Sequence, residues 1–283
     1  MSLRQQFVVT LVSIVSFAAV ATDRFAGTEI KDTSLGGSIH MLSGQGGNIG
    51  VSAGEDGILI IDDQYEPLAE KIAATLSKLG SDAPRFIINT HFHGDHTGGN
   101  SWFHTHKNST IMAHENVRVR LLSDEKADDA ALPVVTYQDG IKIHFNDETL
   151  EIIHLPNGHT DGDSVVWIKE PNILHTGDLF FNGLFPFIDL QSGGSVDGYI
   201  QSVKTLLAKT NDTTKIIPGH GPMATKADYE KFLGMIEETK AFVEKHKADG
   251  KTVEDIVATG LDDKWKSWHW SFITEERWIK TLY

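Results

Sequence analysis

The chain has 283 residues, 25 of them Lys or Arg and 39 Asp or Glu, for a formal net charge of −14. A field of that sign repels phosphate backbones and argues against a nucleic-acid enzyme. There is no cysteine, which excludes disulfides and thiolate metal ligands and leaves stability to a large apolar core.

The first residues, MSLRQQFVVTLVSIVSFAAVATDRF, have the layout of a secretory signal. Arg4 supplies a short positive region, Phe7 to Ala21 is apolar, and Ala19-Val20-Ala21 forms a small-residue cleavage site before Thr22. The apolar run is shorter than the roughly 20 residues needed to span a bilayer. The expected organisation is a signal peptide over residues 1–21 and a single domain with C-terminal helices over 22–283, soluble in the periplasm or outside the cell, with no membrane partner after cleavage. The oligomeric state is left open.

Further along, GNIGVSAGEDGILIID predicts two strands joined by a turn at Glu55-Asp56-Gly57. EPLAEKIAATLSKLG predicts an amphipathic helix, with Pro67 near its start, Leu68, Ile72, Leu76 and Leu79 on one face, and Gly80 as its stop. RFIINT predicts a buried strand that runs straight into His91. In the second half IKIHF, TLEIIHL, SVVWI and NILHT predict strands, SVDGYIQSVKTLLAK a helix, and KII a short strand ending at Pro218-Gly219-His220. Residues 226–247 predict a long helix with Tyr229, Phe232, Ile236 and Val243 broadly on one side, and Thr252 with Asp255 fits a capping box for one more. Strands and helices mixed through both halves predict stacked sheets with helices outside.

One stretch does not read as packing. INTHFHGDHTGGN, residues 88–100, places His91, His93, Asp95 and His96 within six positions of a chain that has 14 histidines in all. His91 and His93 stand at i and i+2 of an extended segment and point the same way. Asp95 and His96 project from the opening of the next helix. A single tetrahedral ion does not easily take four ligands from six consecutive residues, whereas two neighbouring ions can. The remaining ligands are expected where other strands end beside glycine: His159 in HLPNGHTDGDS, Asp178 in LHTGDLF and His220 in IIPGHGP. Five imidazoles and two carboxylates suit zinc, with iron or manganese as alternatives.

The ordered set, H-x-H-x-D-H at 91–96 followed by His159, Asp178 and His220, resembles the metallo-β-lactamase superfamily, and in particular its cysteine-less glyoxalase-II-like hydrolases. The resemblance implies an αβ/βα sandwich of two mixed sheets with helices on the outer faces and two zinc ions at one edge. It also implies that His91, His93 and His159 hold one metal, that Asp95, His96 and His220 hold the other, and that Asp178 bridges them. Two such ions turn a shared water into hydroxide near neutral pH and polarise a carbonyl, and Asp95 is placed to hold that nucleophile or relay a proton. The expected activity is hydrolysis of an ester, thioester or lactone of a small-molecule substrate by a metal-bridging hydroxide.

Among the other histidines, His104, His106, His114, His144, His154 and His175 read as structural or solvated. Asp62, at the end of a buried strand, is expected to orient a ligand histidine. The aromatic KWKSWHWSF reads as core or as a lid. In FFNGLFPF, Phe180 and Asn182 are the expected substrate contacts. Lactam hydrolysis in this family grips the drug's carboxylate with a polar or basic group just after the late strand; here Leu179, Phe180 and Phe181 follow Asp178, and the nearest basic positions in sequence are Lys169 and Lys204. That ranks a β-lactamase second. A mononuclear iron sulfur dioxygenase and a non-catalytic metal-binding protein are the readings from other classes, and a metal count separates them.

Overall fold

The computed structural model describes residues 24–123 and 128–283, so the expected signal segment lies outside the described residues. In the first sheet β1 (Lys31–Gly36), β2 (Ile39–Ser43), β3 (Ile49–Gly54) and β4 (Gly57–Ile61) pair antiparallel in chain order. Parallel strands β5 (Pro84–Asn89), β6 (Thr110–His114) and β7 (Val135–Tyr137) extend it beyond β4. The second sheet is built from β8 (Gly140–Phe145), β9 (Glu148–His154), β10 (Ser164–Ile168), β11 (Ile173–His175) and β12 (Lys215–Ile217), in the order β12-β11-β10-β9-β8. Its pairs are antiparallel except β11 with β12.

The central strands are apolar at consecutive positions because both of their faces are covered. In β4, Leu59 and Ile61 point at the second sheet, where Leu150, Ile152, Val166 and Ile173 meet them. Ile58 and Ile60, one residue out of phase, point outward onto α1 (Ala69–Leu76) and α3 (Asn100–Lys107), packing with Ile72, Leu76 and Phe103. The second sheet does the same in reverse. Val165, Leu174 and Ile216 face outward onto α5 (Val196–Leu207), α6 (Lys226–Ala248) and the C-terminal helices. The layers are helix, sheet, sheet, helix, the expected αβ/βα sandwich. Among the described residues no helix is long and apolar enough to cross a membrane.

Local sequence explains most element ends. The helix expected after residue 65 is α1 flanked by single 3-10 turns at Glu66–Leu68 and Ser77–Leu79, and it stops at Gly80, whose φ of 131° suits glycine. Capping boxes open α6 at Thr225 with Asp228 and α7 (Val253–Thr259) at Thr252 with Asp255. The β1–β2 hairpin carries little sequence signal, because β1 buries only Leu35 and the rest of that edge strand is exposed. Three shorter helices complete the described chain: α2 (Gly94–Thr97), α4 (Glu115–Leu122) and α8 (Asp263–Lys266), before the terminal α9 (Glu275–Leu282).

Candidate metal centre

Strand direction assembles the site. β4 and β5 are parallel, β11 and β12 are parallel, and β9 shares their sense because both it and β11 run antiparallel to β10. The C-terminal ends of five strands therefore meet at one edge of the sandwich. Asp62 follows β4, His91 and His93 follow β5, His159 follows β9, Asp178 follows β11 and His220 follows β12. His93, in extended conformation, is the residue before α2, whose first turn carries Asp95 and His96.

The seven residues fall into two groups, each with donor atoms within 4.8 Å of one another: His91, His93, His159 and Asp178, and Asp95, His96 and His220. Asp178 stands between them. Its Oδ2 lies 3.4 Å from His159 Nε2 and 3.7 Å from His91 Nε2. Its Oδ1 lies 3.0 Å from His96 Nε2 and 3.4 Å from His220 Nε2. On the first side His159 Nε2 and His93 Nδ1 approach to 2.8 Å; on the second, Asp95 Oδ2 sits 3.2 Å from His220 Nε2.

The outer nitrogens of His91, His93, His96 and His159 are engaged, which fixes which nitrogen of each faces inward. Asp62 Oδ2 holds His96 Nδ1 at 2.7 Å, Asp189 Oδ2 holds His93 Nε2 at 3.1 Å, the Phe187 carbonyl holds His159 Nδ1 at 2.7 Å, and Thr90 Oγ1 lies 3.0 Å from His91 Nδ1. Asp62 also accepts from the Thr90 amide and hydroxyl, so one carboxylate braces both groups. Buried Asp163 accepts from the amides of His159 and Thr160 and shapes the loop that presents His159. Two glycines are needed for the approach of backbone to site. A Cβ on Gly47 would lie 2.1 Å from the His96 ring, and one on Gly219 would lie 2.1 Å from Asp178 Oδ1.

Electrostatics favour a cation here. Burial would raise the Asp178 carboxyl, but the imidazoles of His96, His220, His91 and His159 outweigh it and hold it well below the usual carboxylate range. Against a similar effect of burial, His96 and His220 hold Asp95 at about 2. Burial would lower His220, yet Asp178 and Asp95 push it up to about 9. His159 is depressed to about 4, chiefly by burial. The site thus combines ionised carboxylates with neutral imidazoles at His91 and His159, and the carboxylates set up a potential that draws positive charge onto His96 and His220. Two buried donors, His91 Nε2 and Asp178 Oδ1, have no hydrogen-bond partner; the latter is close to His96 but not aligned with it. Orphaned donors of this kind are what a bound divalent cation satisfies, and the residues fit one in each group.

A family model described as the metallo-beta-lactamase superfamily matches residues 44–220, a stretch that contains all seven of these residues. The chain belongs to the metallo-beta-lactamase superfamily. It is 30% identical over 172 residues to the Beta-lactamase-like protein 2 homolog of Caenorhabditis elegans, covering 59% of this chain and 53% of that one. The chain therefore spans about half the length of the nematode relative. It is 29% identical over 182 residues to the Hydroxyacylglutathione hydrolase GloC of Haemophilus influenzae, covering 60% of this chain and 83% of that one. The solved structure of the metallo-beta-lactamase IND-7 aligns with a TM-score of 0.63 over 75% of this chain and 99% of that one, at 20% identity, which establishes the shared fold.

Beside the centre of this superfamily member opens a cleft of about 510 Å³, bordered by His93, Asp95, Asp178 and His220 on its floor and by Phe181, Phe187, Trp270 and Phe272 on one wall. The expected substrate contacts are corrected here. Phe180 is fully buried against Tyr229 and Phe232, and Asn182 turns its amide onto the Pro222 carbonyl; neither borders the cleft. Phe180 is extended, so successive side chains point to opposite sides and Phe181 takes the cleft face. The aromatic C-terminus divides in the same manner: Trp265, Trp268 and Trp278 are core, whereas Trp270 and Phe272 reach the rim.

The remaining histidines stay outside the centre. His104 and His106 bond backbone carbonyls, His114 caps α4 and stacks on His154 at 3.7 Å, and His175 bonds the Asn48 carbonyl. Sequence reading missed Asp189, Thr90 and Asp163. Only Asp163 left a trace, as the last aspartate of the His159 loop HTDGDS.

Proposed function

We propose that this chain is an exported dinuclear zinc hydrolase that acts on an activated carbonyl, an ester, thioester or lactone. The observation that carries this reading is Asp178, whose two oxygens are shared between two imidazole groups, one facing each. His91, His93 and His159 would hold one cation, and Asp95, His96 and His220 the other. When bound, divalent cations supply Lewis acidity toward a carbonyl oxygen and make a water ionise near neutral pH. The chain's own residues do the rest. Asp95, ionised and open to the cleft, accepts the proton of the attacking water and returns it to the leaving group. Asp62 and Asp189 keep the histidines in register. The wall of Phe181, Phe187, Trp270 and Phe272 takes the apolar part of an acyl group and excludes water from it. Similarity to a hydroxyacylglutathione hydrolase favours a thioester among these substrates.

A panel of p-nitrophenyl esters, acyl thioesters, homoserine lactones and a chromogenic cephalosporin, assayed with protein of measured metal content, tests the reading. Thioesters are expected to give the highest kcat/KM. A cephalosporin preferred by about tenfold, or roughly 1.4 kcal/mol of transition-state binding, reverses the ranking, and one iron per chain without hydrolysis removes the hydrolase. Export rests on the A-x-A site at 19–21. N-terminal sequencing of protein recovered outside the cytoplasm is expected to begin at Thr22, and intact Met1 in the cytosol refutes it.

A further inference from the structure

Besides the aromatic wall and the floor, the cleft is bordered by Arg24, Gln45 and Tyr65. Lys169 and Lys204, the basic positions nearest Asp178 in sequence, are paired with Glu151 and Glu237 and do not border the cleft. Arg24 reaches it from the segment ahead of β1. That segment is fastened to the fold: Lys71 Nζ, on α1, donates to the carbonyls of Phe25, Ala26 and Thr28 at 2.8, 2.9 and 3.0 Å. Phe25 is buried, with its ring 5.2 Å from that of Tyr65. The guanidinium of Arg24 lies over both rings, 4.4 Å from the centroid of Phe25 and 4.9 Å from that of Tyr65. Tyr65 in turn accepts a hydrogen bond from Arg24 and is within electrostatic reach of Asp95, which puts the guanidinium one side chain away from the metal centre.

With its carbon over two aromatic rings and one hydrogen bond to Tyr65, the guanidinium has further N–H groups to offer a planar partner in the cleft. Among the described residues no carboxylate is paired with Arg24, although the protein as a whole carries −14. Among the residues bordering the cleft Arg24 is the one Lys or Arg, so it offers an anionic substrate a fixed positive charge away from the floor of Asp95 and Asp178. We propose that Arg24 is a specificity-determining residue, binding a carboxylate on the leaving-group side of the substrate while the acyl group lies on the aromatic wall. The assignment rests on the hydrolase reading above for the word substrate, but the recognition itself is a binding property and is measurable without turnover.

The test uses the full mature, metal-loaded protein and two inert thioethers, 3-(benzylthio)propanoate and its neutral primary amide, titrated calorimetrically into wild type, Arg24→Gln and Arg24→Lys. Arg24 is exposed, so these substitutions leave the fold intact. The carboxylate is expected to bind wild type about tenfold or more tightly than the amide, the size of one charge-assisted hydrogen bond. The preference is expected to vanish in Arg24→Gln and to survive in part in Arg24→Lys. An undiminished preference in Arg24→Gln assigns the carboxylate to the metals and overturns the proposal, as does the absence of any preference, or of binding, in wild type. A second arm compares turnover of phenylacetyl thioesters of 3-mercaptopropionate and N-acetylcysteamine, where Arg24→Gln should raise KM for the anionic thioester alone. If both are cleaved without that discrimination, Arg24 fails and the hydrolase stands. If neither is cleaved, the hydrolase reading fails and calorimetry still decides Arg24.

Discussion

Asp178→Ala is expected to strip both cations and to lower kcat/KM on the order of a thousandfold, since metal polarisation of a carbonyl is worth several kcal/mol and each 1.4 kcal/mol is a decade. The residue is buried, and its oxygens are divided between the two imidazole groups, so truncation takes the one carboxylate from the first group and leaves the second with Asp95 alone. His220→Ala provides the contrast. It removes a donor from one group only and should leave one ion per chain. Elemental analysis after gel filtration, set beside steady-state kinetics, reads both outcomes. Two ions retained per Asp178→Ala chain would rule out the bridging role, whatever happens to the rate.

Trp278→Ala carries the second large effect, on stability. The side chain is fully buried on α9, stacks on Phe185 at 5.9 Å, and donates from Nε1 to Thr239 Oγ1 at 3.0 Å. Truncating a buried aromatic of this size costs roughly 3–5 kcal/mol, because the cavity left behind closes only in part. For a chain of this length that corresponds to a fall of about 10 °C in melting temperature. The loss should reach the cleft as well: Phe185 is tied to the C-terminal segment by its amide to Trp268 and its carbonyl to Trp270, and Phe187 of the cleft wall is two residues on. Trp270→Ala, by comparison, removes a rim residue and should shift KM with little change in melting. A melting temperature for Trp278→Ala within 2 °C or so of wild type would mean that α9 is not part of the cooperative core.

Much of this was legible in the sequence, for identifiable reasons. Central strands appear as apolar runs, and a polar cluster after each run marks the edge where such strands end, so the seven residues that converge could be picked out in order. Asp62 was found by the same logic, since it follows the apolar run of β4. The misses have a common cause: they depend on where a segment lies relative to others. Whether Phe180 or Phe181 faces the cleft is decided by a single 3-10 turn at Gly177–Leu179, which sets the parity of the residues after it. Asp189 reaches His93 across 96 residues of sequence, and Arg24 reaches the cleft only because Lys71 gathers three carbonyls around itself. No periodicity encodes such meetings. β1 was missed for a different reason, because an exposed edge strand has no apolar pattern to read.

The scatter of the donors along the chain dictates an order of events in folding. His93 meets His159 across 66 residues, and His96 meets His220 across 124, one partner from each sheet. Neither half of the centre exists until both sheets have formed and docked, so a cation cannot nucleate this fold as it does a short finger whose ligands are neighbours. The four donors at 91–96 can at most tether an ion loosely to the unfolded chain. Metal uptake is therefore the closing step of maturation, made onto a scaffold that apolar packing has already completed.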